Sequence, residues 1–136
     1  MNRAEFQDLA EMRIDEAGVL LAAGKWAGAY YLAGYAVECA LKACIAKLTK
    51  AEDFPPRETR EYYTHDITKL MKTAELEGDW KARVGADPGF KTYWEGCEAW
   101  EEGSRYERPT EAQARDLYQA ITDPANGVLQ WIRGYW

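Results

Sequence analysis

The run YYLAGYAVECALKACIAK, from Tyr30 to Lys47, decides the fold of this chain. It is apolar nearly all the way round a helix, which predicts a helix that is buried on several sides. With the residues just before it, the run is long enough to cross a bilayer. Glu38 and Lys42 would each cost about 2.5–3.5 kcal/mol near a bilayer centre, however. We therefore predict the buried centre of a helical bundle and no membrane span.

Small residues crowd this central helix, which we place from about Lys25 to Lys47. Gly28 and Gly34 lie inside it, although a glycine costs a helix about 1 kcal/mol relative to alanine. We expect a neighbouring helix to pack very close to both positions, because a missing side chain is what permits such an approach.

Helix start and stop signals recur along the rest of the chain, and no alternation of apolar and polar residues predicts a strand. The signals are a cap at Asn2 with Glu5 and a stop at Gly24, a cap at Asp66 and a stop at Gly78, a cap at Asp87-Pro88 and a stop at Gly103-Ser104, a cap at Thr110 with Gln113 and an end near Thr122, and a cap at Asp123-Pro124 with an end near Gly134. Prolines and charges predict a loop at about residues 49–63. We predict an all-α, up-and-down helical bundle of four main helices plus short extra helices, in a single domain over residues 1–136.

The net charge and the cysteine content indicate which partners the protein binds and which cell compartment it occupies. The formal net charge is −6 and the sequence pI is about 4.9, which argues against a general affinity for nucleic-acid backbone and leaves a local basic groove open. Three cysteines, an odd number, and an amino-terminus without an apolar signal segment predict reduced thiols in the cytoplasm. We expect no metal site, because Cys39 and Cys44 have no histidine near them, and no cofactor, because no phosphate-binding glycine-rich loop occurs.

Four segments, in order along most of the chain, resemble the HEPN domain family of helical bundles. The central run passes from small residues to a glutamate, three residues and a lysine, as in the second helix of HEPN domains. The other matching segments are RIDEAGVLLAAGKWAGA at residues 13–29, HDITKL at residues 65–70 and SRY at residues 104–106. The resemblance implies a homodimer and a role in a toxin–antitoxin or defence system.

The resemblance implies two kinds of function. Some HEPN proteins are partners of small nucleotidyltransferases or are proposed to bind nucleotides, and others are metal-independent ribonucleases. The ribonucleases carry an arginine, four to six residues and then a histidine at the start of a late helix, but no histidine follows Arg105 here. We therefore interpret the chain as a non-catalytic interaction module that binds a nucleotidyltransferase-type partner or a nucleotide-like ligand.

A catalytic alternative, a metal-independent ribonuclease toxin, rests on Arg60 and the lone histidine His65, which have four residues between them. The histidine could act as general base or acid on a ribose 2′-hydroxyl, and the arginine could stabilise charge on the phosphate. Chance produces such a spacing for a lone histidine about one time in five, given the arginine content. In the structural interpretation, His65 orders or packs at the start of a helix.

Glu38 and Lys42 are charged residues on an otherwise apolar helix, one turn apart, so both need partners. We expect Glu38 to be partly buried and to meet an arginine, Arg105 in the first place and Arg13 in the second. Such a contact would be a polar latch across the bundle or part of a ligand site. The candidate site residues are Tyr31, Tyr35, Glu38, Lys42, Arg105 and Tyr106.

Two further groups of residues, late arginines and terminal aromatic residues, could belong to a binding surface. Arg105, Arg108 and Arg115 could meet phosphate, but glutamates surround them and favour a mixed, solvated surface. Trp131, Tyr135 and Trp136 lie close together in sequence at the chain end and predict either closure of the core or an exposed interface patch.

Overall fold

The structure, a computed structural model, describes residues 1–48 and 64–136, so the predicted charged loop at about 49–63 lies outside the described residues. The described part contains seven α-helices, one 3₁₀ helix and no strand, which confirms the prediction of an all-α bundle. The helices are α1 (Arg3–Ala22), α2 (Trp26–Lys47), α3 (Ile67–Thr73), α4 (Glu77–Ala86), α5 (Pro88–Glu98), the 3₁₀ helix (Glu102–Tyr106), α6 (Glu111–Thr122) and α7 (Val128–Arg133).

The first two helices form a hairpin with the most extensive contact in the bundle. α1 begins at the predicted capping box: the Asn2 side chain accepts from the Glu5 backbone N–H at 2.9 Å, and the Glu5 carboxylate accepts from the Asn2 N–H at 2.7 Å. Gly24 has a φ of 77°, a left-handed conformation that glycine adopts without strain, and it turns the chain into α2 as predicted.

α2 is the buried centre of the bundle, in contact with α1, α3, α6, α7 and the 3₁₀ helix. At Gly34 the indole of Trp100 lies directly on the helix backbone, where a Cβ atom would overlap the ring. At Gly28 a Cβ atom would lie 3.0 Å from a methyl group of Leu20. The close approach is therefore present at both glycines. A neighbouring helix makes it at Gly28, because Leu20 belongs to α1, but at Gly34 the predicted helix is wrong, because Trp100 lies in the connection between α5 and the 3₁₀ helix. No helix among residues 1–48 and 64–136 has the length and apolar content needed to span a bilayer.

Aromatic rings fill the part of the core between α5 and α7. Phe90 and Trp94 have ring centroids 5.2 Å and 6.0 Å from the ring of Trp131, which is 7% exposed. Tyr135 packs against Trp131 at 5.3 Å, and both Tyr135 and Trp136 are partly buried against the core. The terminal aromatic residues therefore help to close the core, the first of the two predicted roles.

Three further caps lie where the sequence predicts them. The carboxylates of Asp66 and Asp87 accept from backbone N–H groups at the starts of α3 and α5, each at 3.0 Å. Thr110 and Gln113 form the predicted capping box at the start of α6. Each cap supplies an acceptor to an N–H group that the helix leaves without a partner, which is why the short pattern is recognisable in sequence.

Two predicted helix ends are wrong. Gly78 lies inside α4, whereas α3 already ends at Thr73 and the chain turns at Glu75 with a φ of 61°. α4 itself is absent from the prediction, because none of its ten residues is fully buried and its apolar period consists of little more than Trp80 and Val84, which are partly buried against the core. Gly103 and Ser104 lie within the 3₁₀ helix, and α5 ends earlier, at Glu98.

The predicted start of the last helix is also wrong: α7 begins at Val128, and Asp123-Pro124 opens a turn. One carboxylate oxygen of Asp123 accepts from the N–H groups of Ala125 and Asn126, at 2.8 Å and 3.1 Å. Aspartate followed by proline satisfies the N–H groups of a tight turn as well as those of a helix start, so the local pattern does not separate the two.

Candidate functional site

A connected set of charged side chains runs from the interior of α2 to the surface at the 3₁₀ helix. We call it the Glu38 cluster, and its members are Lys42, Glu38, His65, Glu102 and Arg105. Lys42 Nζ donates to Glu38 Oε1 at 2.9 Å, and His65 Nδ1 lies 2.8 Å from the same oxygen. His65 Nε2 lies 3.2 Å from Glu102 Oε2, and Arg105 Nη1 lies 3.8 Å from Glu102 Oε1. Acidic and basic groups therefore alternate along the cluster.

Glu38 is the buried end of this cluster, with 1% of its surface exposed. α2 places Lys42 one turn further along the same face, and the cap that starts α3 places His65 beside the carboxylate. Both basic groups approach Oε1, while Oε2 is buried without a hydrogen-bond partner among the described residues. Since a buried acceptor without a donor costs free energy, Oε2 is the position where this cluster would gain from one more donor.

His65 connects two carboxylates from different elements, Glu38 of α2 and Glu102 of the 3₁₀ helix. A neutral imidazole has one N–H and can donate to only one of them, whereas an imidazolium ion donates to both. Either form has at least one ring nitrogen engaged by a carboxylate. A substrate hydroxyl would have to displace one of these contacts before His65 could exchange a proton with it.

Two tyrosines of α2 form an aromatic face beside the cluster. The rings of Tyr31 and Tyr35 are parallel within 6°, with centroids 6.1 Å apart, and both side chains are partly buried. The ring of Tyr31 also packs on buried Trp100 at 6.0 Å. The guanidinium of Arg13 lies 6.0 Å from the centroid of Tyr35. Burial, followed in size by the effect of neighbouring Cys39, raises the pKa of Tyr35, so its hydroxyl stays protonated near neutral pH.

Arg105 and Tyr106 bring a cation and an exposed ring to the same region. The Arg105 guanidinium lies 4.8 Å from the centroid of the Tyr106 ring, and Tyr106 is 78% exposed. Hydrogen bonding to Tyr106 raises the pKa of Arg105, with smaller contributions from Glu102 and from a hydrogen bond to Tyr31. The 3₁₀ helix itself packs directly against α2. The six predicted site residues therefore belong to one region, four on α2 and two on the 3₁₀ helix.

The predicted arginine partner of Glu38 is wrong for the described residues. Arg105 meets Glu102, and Arg13 donates to Glu16 at 2.7 Å. The physical reason is that each of these arginines pairs with a glutamate of its own helix, three residues away in sequence. Sequence reasoning missed this role of His65 and missed Glu102 entirely. The available signal was the combination of one histidine in the chain with one buried glutamate in need of donors.

The catalytic alternative is described only in part, because Arg60 lies outside the described residues. The late arginines pair with glutamates of their own elements: Arg115 donates to Glu111 at 3.0 Å and lies 5.3 Å from the ring centroid of Trp26. Arg105 lies beside Glu102. These pairs agree with the mixed, solvated surface that we predict for this region.

The cysteines behave as small apolar groups of the core. Cys39, Cys44 and Cys97 are all buried free thiols. Burial raises the pKa of both Cys39 and Cys44 to about 12, so neither is a nucleophile near neutral pH. Among residues 1–48 and 64–136, no group of histidine, cysteine, aspartate and glutamate side chains is arranged to hold a metal ion.

Comparison with known proteins identifies the family. The model of the HEPN domain matches residues 5–135 of this chain, nearly its whole length. No curated protein and no solved structure matches it significantly. The family match agrees with the all-α fold, with the central helix that carries Glu38 and Lys42, and with His65-Asp66 at the start of α3. The chain belongs to the HEPN domain family.

Proposed function

We propose that this protein is a non-catalytic interaction module, a homodimer that binds a nucleotidyltransferase-type partner or a nucleotide-like ligand in a toxin–antitoxin or defence system. The observation that carries the proposal is the position of His65 between two carboxylates, 2.8 Å from Glu38 and 3.2 Å from Glu102. These contacts commit the lone histidine to holding α2, the start of α3 and the 3₁₀ helix together. They leave the ribonuclease alternative with Arg60 and His65 less well supported.

The surface beside this histidine has the chemistry of a recognition face. Tyr106 is largely exposed, Arg105 remains a cation, and the parallel rings of Tyr31 and Tyr35 extend the aromatic surface. Exposed aromatic rings next to an arginine favour stacking on a base or an interface side chain, with the arginine on a phosphate or carboxylate. The net charge of −6 disfavours a general affinity for nucleic-acid backbone.

The test combines cleavage with binding. The purified protein and its His65→Ala variant are incubated with RNA in EDTA, which suppresses contaminating metal-dependent nucleases. We expect no cleavage by either protein. If the wild type cleaves RNA and a still-folded His65→Ala variant does not, the protein is a ribonuclease and the proposal of a non-catalytic interaction module is wrong.

Binding is measured by titration with ATP and by copurification with a coexpressed nucleotidyltransferase-type protein from the same cell. We expect Tyr106→Ala to weaken one of these interactions about tenfold, because an exposed ring at an interface contributes on the order of 1–2 kcal/mol. Val19→Ala is the matched control, since Val19 is exposed on α1 outside the cluster. Loss of binding in the Val19 variant, or no binding of either probe by the wild type, would contradict the proposal.

A further inference from the structure

A groove of about 480 Å³ between α5 and α6 is separate from the Glu38 cluster and its tyrosines. Its lining includes Tyr30 of α2, Tyr93 and Gly96 of α5, and Asp116 and Leu117 of α6. The volume lies in the range of small ligand pockets, which are usually lined by apolar and aromatic side chains with a few polar groups. Nothing in the Glu38 cluster uses this groove.

Gly96 lines the groove on the side of α5. A Cβ atom built on it would meet no other atom within 4 Å, and it is not among the residues with a left-handed backbone. Neither packing within the chain nor backbone conformation therefore requires glycine here, although glycine costs a helix about 1 kcal/mol relative to alanine. Gly78, Gly85 and Gly103 are open in the same way, so what distinguishes Gly96 from them is its position in the groove, where a second molecule can approach the α5 backbone closely.

The charge of the groove indicates what kind of group approaches. Asp116 is exposed, and it is the only formally charged residue among the described residues that line the groove. Burial raises the pKa of Tyr30, with further contributions from Glu107, Cys97 and Glu101, so its hydroxyl stays protonated near neutral pH and the carboxylate of Asp116 is the charged group of the lining.

The rings that flank the groove are held in place. The Tyr93 hydroxyl donates to Asp123 at 3.0 Å, which fixes this ring and directs its hydroxyl proton away from an incoming ligand. Gln113 and Gln119 also line the groove. The amide oxygen of Gln113 accepts from the N–H of Thr110 at 2.8 Å, whereas Gln119 donates through Nε2 to Asp123 at 3.1 Å and keeps its amide oxygen as an acceptor. The groove therefore offers aromatic surface, a carboxylate and an amide oxygen to a planar cation.

We propose that this groove binds an arginine side chain presented by a protein partner. A guanidinium is planar, stacks on tyrosine rings and donates in a fork to carboxylate and amide oxygens, whereas the ammonium of lysine is a compact, strongly hydrated charge. The apolar floor around Gly96 and Leu117 receives the methylene groups of the arginine and the neighbouring backbone of the partner. The inference is independent of the Glu38 cluster and of any RNA or nucleotide.

The experiment uses the full chain labelled with ¹⁵N and two short peptides, Ac-Gly-Arg-Gly-NH₂ and its citrulline counterpart, which replaces the guanidinium with a neutral urea of the same shape. We expect the arginine peptide to shift the amide resonances of Gly96, Leu117 and Ala120, with a Kd on the order of 1 mM for such a small probe. The citrulline peptide is expected to bind at least fivefold more weakly. Equal binding of both peptides, no binding of either, or shifts confined to the Glu38 cluster would overturn the proposal.

Variants of the groove separate binding from folding. We expect Asp116→Asn to weaken binding of the arginine peptide at least fivefold, and Gly96→Leu to abolish it by filling the groove. Gly78→Leu is the matched control: a Cβ atom on Gly78 also meets nothing within 4 Å, but Gly78 does not line the groove. Unchanged binding in the Asp116 and Gly96 variants, or equal loss in the Gly78 variant, would contradict the assignment.

Discussion

Two faces of this bundle differ in how fully their residues are engaged within the chain. Where α2 meets the 3₁₀ helix and α3, Glu38 is 1% exposed with two basic neighbours, and Trp100 lies on the backbone of Gly34. In the groove between α5 and α6, Gly96 faces open space. Glycine therefore has a different role on the two faces. On the first face, packing within the chain requires Gly34, whereas in the groove packing within the chain does not require Gly96.

We expect the largest loss of stability when the buried carboxylate of Glu38 is removed. Replacing Glu38 with alanine leaves Lys42 and His65 without their common acceptor, and loss of one partner from a buried ion pair costs about 3–5 kcal/mol. Since His65 is 40% exposed and can be solvated, we expect a loss of about 3 kcal/mol in the free energy of unfolding, measured by urea denaturation.

Two control variants test whether the loss of stability comes from the buried carboxylate. Glu38→Gln keeps an acceptor near Lys42 and His65 and is expected to lose less stability than Glu38→Ala. Glu95→Ala, at an exposed position of α5, is expected to change the free energy of unfolding by less than about 0.5 kcal/mol. If Glu38→Ala were as stable as the Glu95 variant, the Glu38 cluster would have no structural role.

A pair of alanine substitutions tests the contrast between the two glycines directly. At Gly34 the new Cβ atom would overlap the indole of Trp100, which is 2% exposed and has little room to move, so we expect a loss of about 1–3 kcal/mol. At Gly96 the new Cβ atom meets nothing, and the better helix propensity of alanine should add about 0.5–1 kcal/mol.

Thermal denaturation followed by circular dichroism measures both changes, and the expected sign is opposite at the two positions. Gly78→Ala provides the reference for an open helical glycine outside the groove. A loss of stability in Gly96→Ala would mean that packing within the chain requires glycine there, and the groove would then need no external occupant.

Much of the fold could be predicted because local physical chemistry specifies it. The capping boxes at Asn2 and Thr110 and the caps at Asp66 and Asp87 satisfy N–H groups a few residues away, so a short stretch of sequence contains all the interacting groups. The all-round apolar character of α2 likewise required burial from several sides. α4 was not predicted in this way, because its core contact rests on two partly buried residues, Trp80 and Val84, and so short an apolar pattern is weak.

The pair of Glu38 and Lys42 on one helix could be predicted, whereas the contacts that His65 makes with Glu38 and Glu102 could not. Tyr31, Tyr35 and Glu38 share a helix, so their relation follows from helical periodicity. The partner of Glu38 depends on how the start of α3 and the 3₁₀ helix pack against α2, which no local pattern contains. His65 is 27 residues from Glu38, and a separation of this size can be resolved only by tertiary structure.

The smallest effect concerns Asp123, which supports Tyr93 at the edge of the groove. Hydrogen bonds from the backbone N–H groups of Ala125 and Asn126 hold the pKa of Asp123 below its ordinary value. A lowered folded-state pKa contributes stability that is present above the unfolded pKa of about 4 and is lost as the pH falls through the folded-state value. We therefore expect the Tm of the wild type to exceed that of Asp123→Asn at pH 7, and the difference to shrink as the pH falls below about 4.

Asp8→Asn, at an exposed position of α1, is the control. A Tm difference that stays constant from pH 7 to pH 3 would show that the ionised carboxylate does not stabilise the turn, and the support for Tyr93 would then come from packing alone.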